Sequence, residues 1–267
     1  MAVIDIEKLK ASFNDDGYIV VKNLFSEAEM LSLLKEIEVA ECVETISSPA
    51  KTLSKGTMIF RSNLFYNSKK IQDFISQQKI IDLLKNFAGN NIWARWDQAV
   101  GKGPNSATFP WHQDNGYSRL PHQYFQLWIA VTKSTAENGT LLISPGSHTL
   151  GHLPHKLDGT HLHYDGEVAN PIMIEAEQGD AIIFSSFTLH ATMPNITRND
   201  TRWAYVIEYI SLDHYDPTVP CPYFVVARNG KSTQEFIKKH PNLKLRDKVK
   251  HKLQSAKKKL KNLLKPS

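Results

Sequence analysis

A series of short apolar segments separated by turn signals is the feature that most constrains how this chain can fold. The segments are rich in β-branched and aromatic residues, and they lie at residues 92–99, 125–131, 140–143, 171–176, 181–185 and 202–209. Glu137-Asn138-Gly139 and Pro145-Gly146-Ser147-His148 are typical of the turns between such strands. Since no helix-length pattern separates these segments, the sequence predicts a sandwiched or closed β architecture.

Helical patterns precede the β-rich part of the chain. The apolar residues within residues 4–15 fall on one face, which predicts a short amphipathic helix that Gly17 can end. A strand is predicted over residues 18–21. Ser26-Glu27-Ala28-Glu29 is a capping box, which predicts a helix from there to about residue 40. Two further short helices are predicted over residues 69–77 and 80–87, and a loop over residues 45–57.

His112 and Asp114 are two residues apart in Phe109-Pro110-Trp111-His112-Gln113-Asp114, so on an extended segment both side chains point to the same face. Such a pair often occurs by chance as ordinary polar residues, and two ligands do not hold a metal alone. The best candidate for a third ligand is His190, in Thr188-Leu189-His190-Ala191-Thr192. Two imidazoles and one carboxylate form the facial triad of an iron(II) oxygenase, which leaves positions open for a cosubstrate and O2.

Arg202 supplies a second indication of function. It follows His190 by twelve residues and begins a predicted strand. A buried arginine needs an anionic partner, and its planar fork matches a carboxylate. A small dicarboxylate that reaches from the metal to Arg202 would meet both requirements. Arg198, in the polar turn before this strand, is a rival for the same role.

These residues occur together with several other sequence segments, and the order of the segments is similar to that in one protein family. The chain resembles the phytanoyl-CoA dioxygenase family of iron(II)/2-oxoglutarate oxygenases over roughly residues 10–212. Besides the segments around His112, His190 and Arg202, the matching pieces are Asp16-Gly17-Tyr18-Ile19-Val20-Val21, Leu127-Trp128-Ile129-Ala130, Glu137-Asn138-Gly139-Thr140-Leu141, Pro145-Gly146-Ser147-His148 and Gly179-Asp180-Ala181-Ile182-Ile183-Phe184.

The resemblance implies a fold and an activity. The fold would be mainly β with flanking α-helices, a double-stranded β-helix of the jelly-roll, cupin-like type. The activity would be hydroxylation of an unactivated C–H bond of a small molecule, such as a lipid, an amino acid or a secondary metabolite, with release of succinate and CO2. The alternative from a different class is a non-catalytic or differently metallated β-barrel protein that binds a small molecule.

The resemblance also implies roles for individual residues. His112, Asp114 and His190 would be the catalytic iron(II) ligands, with O2 and the cosubstrate 2-oxoglutarate binding at the open positions. Arg202 and Thr192 would bind the far carboxylate of 2-oxoglutarate. Gln98 and Trp128 are further candidates for lining the cosubstrate pocket.

The charge is distributed unevenly along the chain. The whole chain has a net charge of +5, but residues 231–267 hold 13 Lys/Arg and 2 Asp/Glu, so the preceding residues carry a net −6. The sequence therefore predicts an oxygenase domain over 1–230 and a basic helical extension over 231–267, with helices over 231–240 and 246–264. The second helix could pack on the domain, contact a partner or lie weakly on an anionic membrane surface. No nucleic-acid binding is expected, because residues 248–265 lack interleaved aromatic residues.

Three further observations concern location and the remaining histidines. No apolar run is long enough for a transmembrane helix, and the N-terminus lacks the pattern of a signal peptide. Two distant cysteines, Cys42 and Cys221, do not make a disulfide scaffold, so a cytoplasmic location is expected. The histidines at 148, 152, 155, 161 and 163 have irregular spacing, which favours ordinary loop residues over a metal site, although one of them could touch a substrate.

Overall fold

The computed structural model describes residues 5–42, 58–159 and 161–242. Within these residues the helices are α1 (Ile6–Asp16), α2 (Glu27–Val39), α3 (Lys69–Ile75), α4 (Gln78–Ala88) and α5 (Asn115–Ser118). Helix α1 ends at Gly17, whose φ of 78° is left-handed, and the Ser26–Glu29 capping box begins α2, as the sequence predicts. None of the described helices is long and apolar enough to cross a membrane.

The described residues also form fourteen strands. In chain order they are β1 (Tyr18–Val21), β2 (Met58–Ser62), β3 (Ile92–Lys102), β4 (Phe109–His112), β5 (Phe125–Ala130), β6 (Leu141–Ile143), β7 (Lys156–Asp158), β8 (His161–His163), β9 (Ile172–Ile174), β10 (Ala181–Ser185), β11 (His190–Thr192), β12 (Arg202–Ser211), β13 (Tyr223–Arg228) and β14 (Lys231–Ile237).

The strands pair antiparallel in two main sheets. The large sheet has the order β1-β10-β5-β12-β3-β13-β14, with β2 also paired to β3, and the small sheet has the order β4-β11-β6-β9. Strands β7 and β8 form a separate hairpin. The two main sheets face each other across one apolar cluster, since Trp128, Ala204 and Phe184 of the large sheet pack with Leu141 and Ile143 of the small sheet. The architecture is a mainly β jelly roll.

The helices cover the outer face of the large sheet. Side chains that alternate with the inner-facing ones, such as Leu127, Ile129 and Tyr205, pack in a second apolar cluster with Phe13 of α1 and Met30 of α2. Because successive strand residues point to opposite faces, β5 serves both clusters and is buried along its whole length. The site side chains on β3, β5 and β12 are thereby held on strands that are packed on both faces.

The sequence prediction of a short helix over residues 231–240 is wrong. Residues Lys231–Ile237 form strand β14, which pairs with β13 at the edge of the large sheet. Asn229 and Gly230 connect the two strands with φ angles of 51° and 73°, the conformation of a tight hairpin turn. The strand is largely exposed, so its side chains are mostly polar and lack the alternation of apolar and polar residues that predicts a strand.

Other differences from the sequence predictions are smaller. Strand β3 continues through Gly101 and Lys102, beyond the apolar segment 92–99. Strand β13 was not among the predicted strands, and the histidine-rich segment contains the β7–β8 hairpin. The predicted loop at 45–57 and the predicted helix at 246–264 lie outside the described residues. The division of the chain at residue 230 stays a prediction.

Candidate active site

The pairing of β4 with β11 brings two histidines together. His112, at the end of β4, is directly opposite His190, at the start of β11. Their ring centroids are 4.1 Å apart, and both residues are buried. Two histidines separated by 78 positions in the sequence are thus made neighbours by one step of sheet register.

Asp114 completes a cluster of three ligand atoms. It lies just after β4, at the start of the short helix α5. Its carboxylate oxygens lie 3.5 Å from Nε2 of His112 and 3.6 Å from Nε2 of His190, and one ligand atom from each residue falls within 4.8 Å of the others. These separations exceed those of ordinary hydrogen bonds, as expected of ligands that converge on one ion.

Both imidazoles are oriented by backbone carbonyls. Nδ1 of His112 donates to the Pro110 carbonyl at 2.8 Å, and Nδ1 of His190 donates to the Thr188 carbonyl at 3.1 Å. A carbonyl only accepts, so the proton of each neutral ring lies on Nδ1 and the Nε2 lone pair is free. Metal-binding histidines use their second nitrogen in this way, which fixes both tautomer and ring direction.

Electrostatics favour the ligand forms of these residues. Burial lowers the pKa of His190 to about 4, against the opposing effect of the Asp114 charge, so the imidazole is neutral near pH 7. Burial by itself raises the pKa of Asp114, but the electrostatic influence of the neighbouring His190 and His112 side chains outweighs it, and the pKa is lowered. A neutral imidazole and an ionised carboxylate are the forms that bind a metal.

A buried polar chain stands behind Asp114. The Gln126 side-chain amide on β5 faces the Asp114 carboxylate and donates to Glu208 Oε1 on β12 at 2.9 Å. Glu208 pairs in turn with Arg95, and Arg95 also pairs with Asp216. Burial raises the pKa of Glu208 to about 7, against the effect of Arg95. No local pattern in the sequence marks Gln126, because β5 and the segment that carries Asp114 come together only in the folded protein.

Gln113, between the two ligands, points the other way and ties the motif to its surroundings. Its amide donates to the carbonyls of Gly151 at 2.8 Å and Phe187 at 2.6 Å, and its oxygen accepts from Leu153 N at 3.0 Å. Gln113 is fully buried. These bonds hold the segment that carries His112 and Asp114 against two other loops.

Arg202 begins β12 and is 1% exposed. Its Nη2 donates to the Gly139 carbonyl at 2.8 Å, whereas its Nε and Nη1 are buried without any partner among the described residues. The guanidinium lies over the Trp128 ring at 5.6 Å, and burial lowers its pKa to about 9. The rival Arg198 is exposed, so Arg202 is the arginine that requires a buried anion.

Of the other residues predicted for the cosubstrate pocket, Gln98 and Trp128 lie on the inner face of the large sheet and Thr192 lies on the small sheet. Val206 of β12 pairs with Gln98 on one side and Trp128 on the other. Gln98 donates to Ser62 Oγ at 2.8 Å. Thr192 lies two residues after His190 on β11, and its Oγ1 accepts from Lys102 Nζ at 3.1 Å.

The histidine-rich segment is largely engaged in structural contacts. His155 Nε2 accepts from Gln113 N at 3.0 Å, and His148 bonds the Asn14 carbonyl through Nε2 at 3.2 Å. His161 packs on Phe109 at a centroid separation of 4.8 Å, and Phe109 packs on His112 at 4.9 Å. Among the described residues, His112, Asp114 and His190 are the group with the geometry of a metal site.

The residues present fit iron and 2-oxoglutarate. Three convergent ligands with free lone pairs match the facial triad of iron(II). The two unpaired N–H groups of Arg202 match the far carboxylate of a dicarboxylate cosubstrate.

Comparisons with known proteins agree with this geometry. The model of the family Phytanoyl-CoA dioxygenase (PhyH) matches residues 13–204. A probable alpha-ketoglutarate-dependent hypophosphite dioxygenase of Stutzerimonas stutzeri is 24% identical, with 82% of this chain and 84% of that protein covered. The peroxisomal phytanoyl-CoA dioxygenase of Homo sapiens is 26% identical, with 80% and 70% covered.

Solved structures show the same fold. The epimerase SnoN, in complex with Fe3+, alpha ketoglutarate and nogalamycin RO, superposes with a TM-score of 0.64 at 18% identity over 86% of this chain and 96% of that chain. The apo non-heme monooxygenase ThoJ gives a TM-score of 0.70 at 19% identity over 95% and 99%. Because the family model covers well over half of the sequence, the chain belongs to the phytanoyl-CoA dioxygenase family and is an iron(II)- and 2-oxoglutarate-dependent dioxygenase that uses O2.

Proposed function

We propose that this dioxygenase hydroxylates an unactivated C–H bond of a small molecule. One oxygen atom of O2 would enter the substrate and the other would enter succinate, as 2-oxoglutarate loses CO2. The observation that carries the proposal is that one jelly roll holds three converging side chains able to bind a metal and a buried guanidinium with two nitrogens unpaired among the described residues. The substrate class is a lipid, an amino acid or a secondary metabolite.

The metal ligands in this proposal are Nε2 of His112, Nε2 of His190 and the Asp114 carboxylate. Iron(II) bound there supplies the site at which 2-oxoglutarate and O2 react. The protein keeps the His190 imidazole neutral, and the carbonyls of Pro110 and Thr188 hold the two rings so that Nε2 of each faces the metal position. Asp114 fills the third position with a carboxylate, which favours hydroxylation over halogenation, because halogenating members of the family have a small residue at that place.

The cosubstrate contacts are assigned to the inner surface of the large sheet and to β11. Arg202 would pair with the far carboxylate of 2-oxoglutarate through N–H groups that have no partner among the described residues, on Nε or on Nη1. Thr192 would donate a hydrogen bond to the same carboxylate. Gln98 and Trp128 would line the cosubstrate pocket.

An aromatic surface next to His112 is proposed to border the substrate. Phe109 packs on His112 and on Phe60, at centroid separations of 4.9 and 6.1 Å, and Tyr117 lies 6.2 Å from His112 on another side. Apolar rings beside the reacting centre exclude water and accept a C–H-rich group.

The test is conversion of 2-oxoglutarate by purified iron-loaded protein. With 18O2, we expect slow iron-dependent formation of succinate without added substrate. A panel of acyl-CoA esters, free amino acids and phosphonates should contain a compound that accelerates it and gains one 18O atom. A folded, iron-loaded protein that forms no succinate would instead be the small-molecule-binding protein of the alternative hypothesis.

Location and the C-terminal segment are part of the proposal as well. A cytoplasmic location is proposed from the sequence, whereas several relatives of the family are peroxisomal. Fractionation of cells that express the tagged protein distinguishes the two. For the basic residues 243–267, binding to anionic liposomes that weakens as salt rises would support the membrane-surface alternative.

A further inference from the structure

Lys102 and Arg202 are two buried basic side chains that lie next to each other on the large sheet. They are directly opposite each other on β3 and β12. Lys102 is fully buried and Arg202 nearly so. No carboxylate of the described residues pairs with either of them. Two neighbouring buried charges of the same sign are unfavourable on their own, so this pair indicates an anionic ligand.

The Lys102 ammonium donates hydrogen bonds to two neutral oxygen atoms, so its charge is not balanced by them. Nζ donates to the Ala107 carbonyl at 2.7 Å and to Thr192 Oγ1 at 3.1 Å. An ammonium cannot accept, so Thr192 must accept this bond and its own O–H is left to donate elsewhere. Lys102 therefore sets the direction of the hydroxyl that would meet the cosubstrate.

Gly139 joins the two cations through one turn. Its carbonyl accepts from Arg202 Nη2 at 2.8 Å, and a Cβ placed on it would lie 2.8 Å from Lys102 Cε. Its φ of 93° also favours glycine. The turn thus fits closely against both side chains and holds them on the same side of the pocket.

We propose that Lys102 is the second cation of the cosubstrate site, where it orients the Thr192 hydroxyl and selects 2-oxo acids that carry a far carboxylate. This inference rests on the proposed role of Arg202 and Thr192, and it adds a residue that acts mainly on cosubstrate choice. Because burial and Arg202 lower the pKa of Lys102 to about 7, an incoming carboxylate would also stabilise its protonated form.

The test compares two ligands on iron(II)-loaded protein without O2, so that binding is measured without turnover. The first ligand is 2-oxoglutarate, and the second is 2-oxopentanoate, which has a methyl group in place of the far carboxylate. We expect Lys102→Met to weaken 2-oxoglutarate binding by about tenfold or more, since a charge-assisted contact is lost. Binding of 2-oxopentanoate should change by less than about twofold, since it makes no such contact.

Two further variants complete the experiment. Thr192→Val should likewise weaken binding of 2-oxoglutarate more than that of 2-oxopentanoate, and it serves as the second measurement should Lys102→Met not fold. Lys133→Met is the matched control, because Lys133 is an exposed lysine paired with Glu177.

Each outcome has a defined meaning. Equal weakening of both ligands in Lys102→Met would overturn the proposal and assign Lys102 a packing role. Unchanged 2-oxoglutarate binding in this variant would overturn it as well. Failure of the unmutated protein to bind 2-oxoglutarate at all would contradict the proposed function itself, and is therefore distinct from both.

Discussion

Removing the Arg202 guanidinium tests the cosubstrate site quantitatively. In the part of the chain that the structure describes, Nε and Nη1 of Arg202 have no hydrogen-bond partner, while Nη2 donates to the Gly139 carbonyl. Truncating one member of a buried charge pair costs about 2–5 kcal/mol. Since about 1.4 kcal/mol is a tenfold change, Arg202→Ala should raise the Kd of 2-oxoglutarate by roughly 30- to 5,000-fold. Arg202→Lys keeps the charge but loses the planar fork, so its effect should be smaller.

The assay is equilibrium dialysis of labelled 2-oxoglutarate against iron(II)-loaded protein under anaerobic conditions. Iron affinity without cosubstrate should stay unchanged, because Arg202 is not among the three converging ligands. Arg198→Ala is the control, since Arg198 is exposed in the turn before β12. If Arg198→Ala raises the Kd while Arg202→Ala does not, the carboxylate has been assigned to the wrong arginine.

Three further outcomes follow from the same contacts. Gln126→Leu, which removes the amide facing Asp114, should weaken iron binding by about 10- to 100-fold in an anaerobic chelator competition, whereas wild-type affinity would contradict a positioning role. The affinity for 2-oxoglutarate should fall as the pH rises through about 7, where Lys102 loses its proton. This dependence of affinity on pH should vanish in Lys102→Met. Arg202, the other titratable group facing Lys102, has a pKa of about 9 and stays protonated in this range. Arg202→Met should raise the free energy of unfolding of the ligand-free protein by about 1–3 kcal/mol in urea titrations, because it removes unsatisfied buried donors, and a decrease would contradict that account.

The sequence predicts those parts of the fold and site that depend on residues close together in the chain. The capping box of α2 and the left-handed Gly17 after α1 are signals within a few residues, and both structures form as predicted. His112 and Asp114 were candidates because two-residue spacing on an extended chain directs both side chains to one face. The Arg202 prediction rested on a physical requirement, a buried guanidinium seeking an anion, and its buried, partly unpaired state meets that requirement.

What the sequence does not reveal depends on register between distant strands. Lys102 meets Arg202 only because β3 and β12 pair at that position, and Gln126 meets Glu208 only because β5 and β12 do. No local pattern around Lys102 distinguishes it from a loop lysine, and the sequence analysis ended the strand before it. The wrong prediction of a helix where β14 lies has a different cause. The Asn229-Gly230 hairpin signal is local, but the polar residues of this exposed edge strand do not show the pattern of a strand.

The most direct test of the central claim is an anaerobic titration of the protein with Fe(II) and then 2-oxoglutarate, followed by visible absorption. Chelation of 2-oxoglutarate to iron held by His112, Asp114 and His190 should produce a weak charge-transfer band that saturates at one equivalent of iron per chain. His190→Ala should abolish the band while the protein remains folded by circular dichroism. A folded wild-type protein without the band, or a His190→Ala variant with the band undiminished, would contradict the assignment of this site.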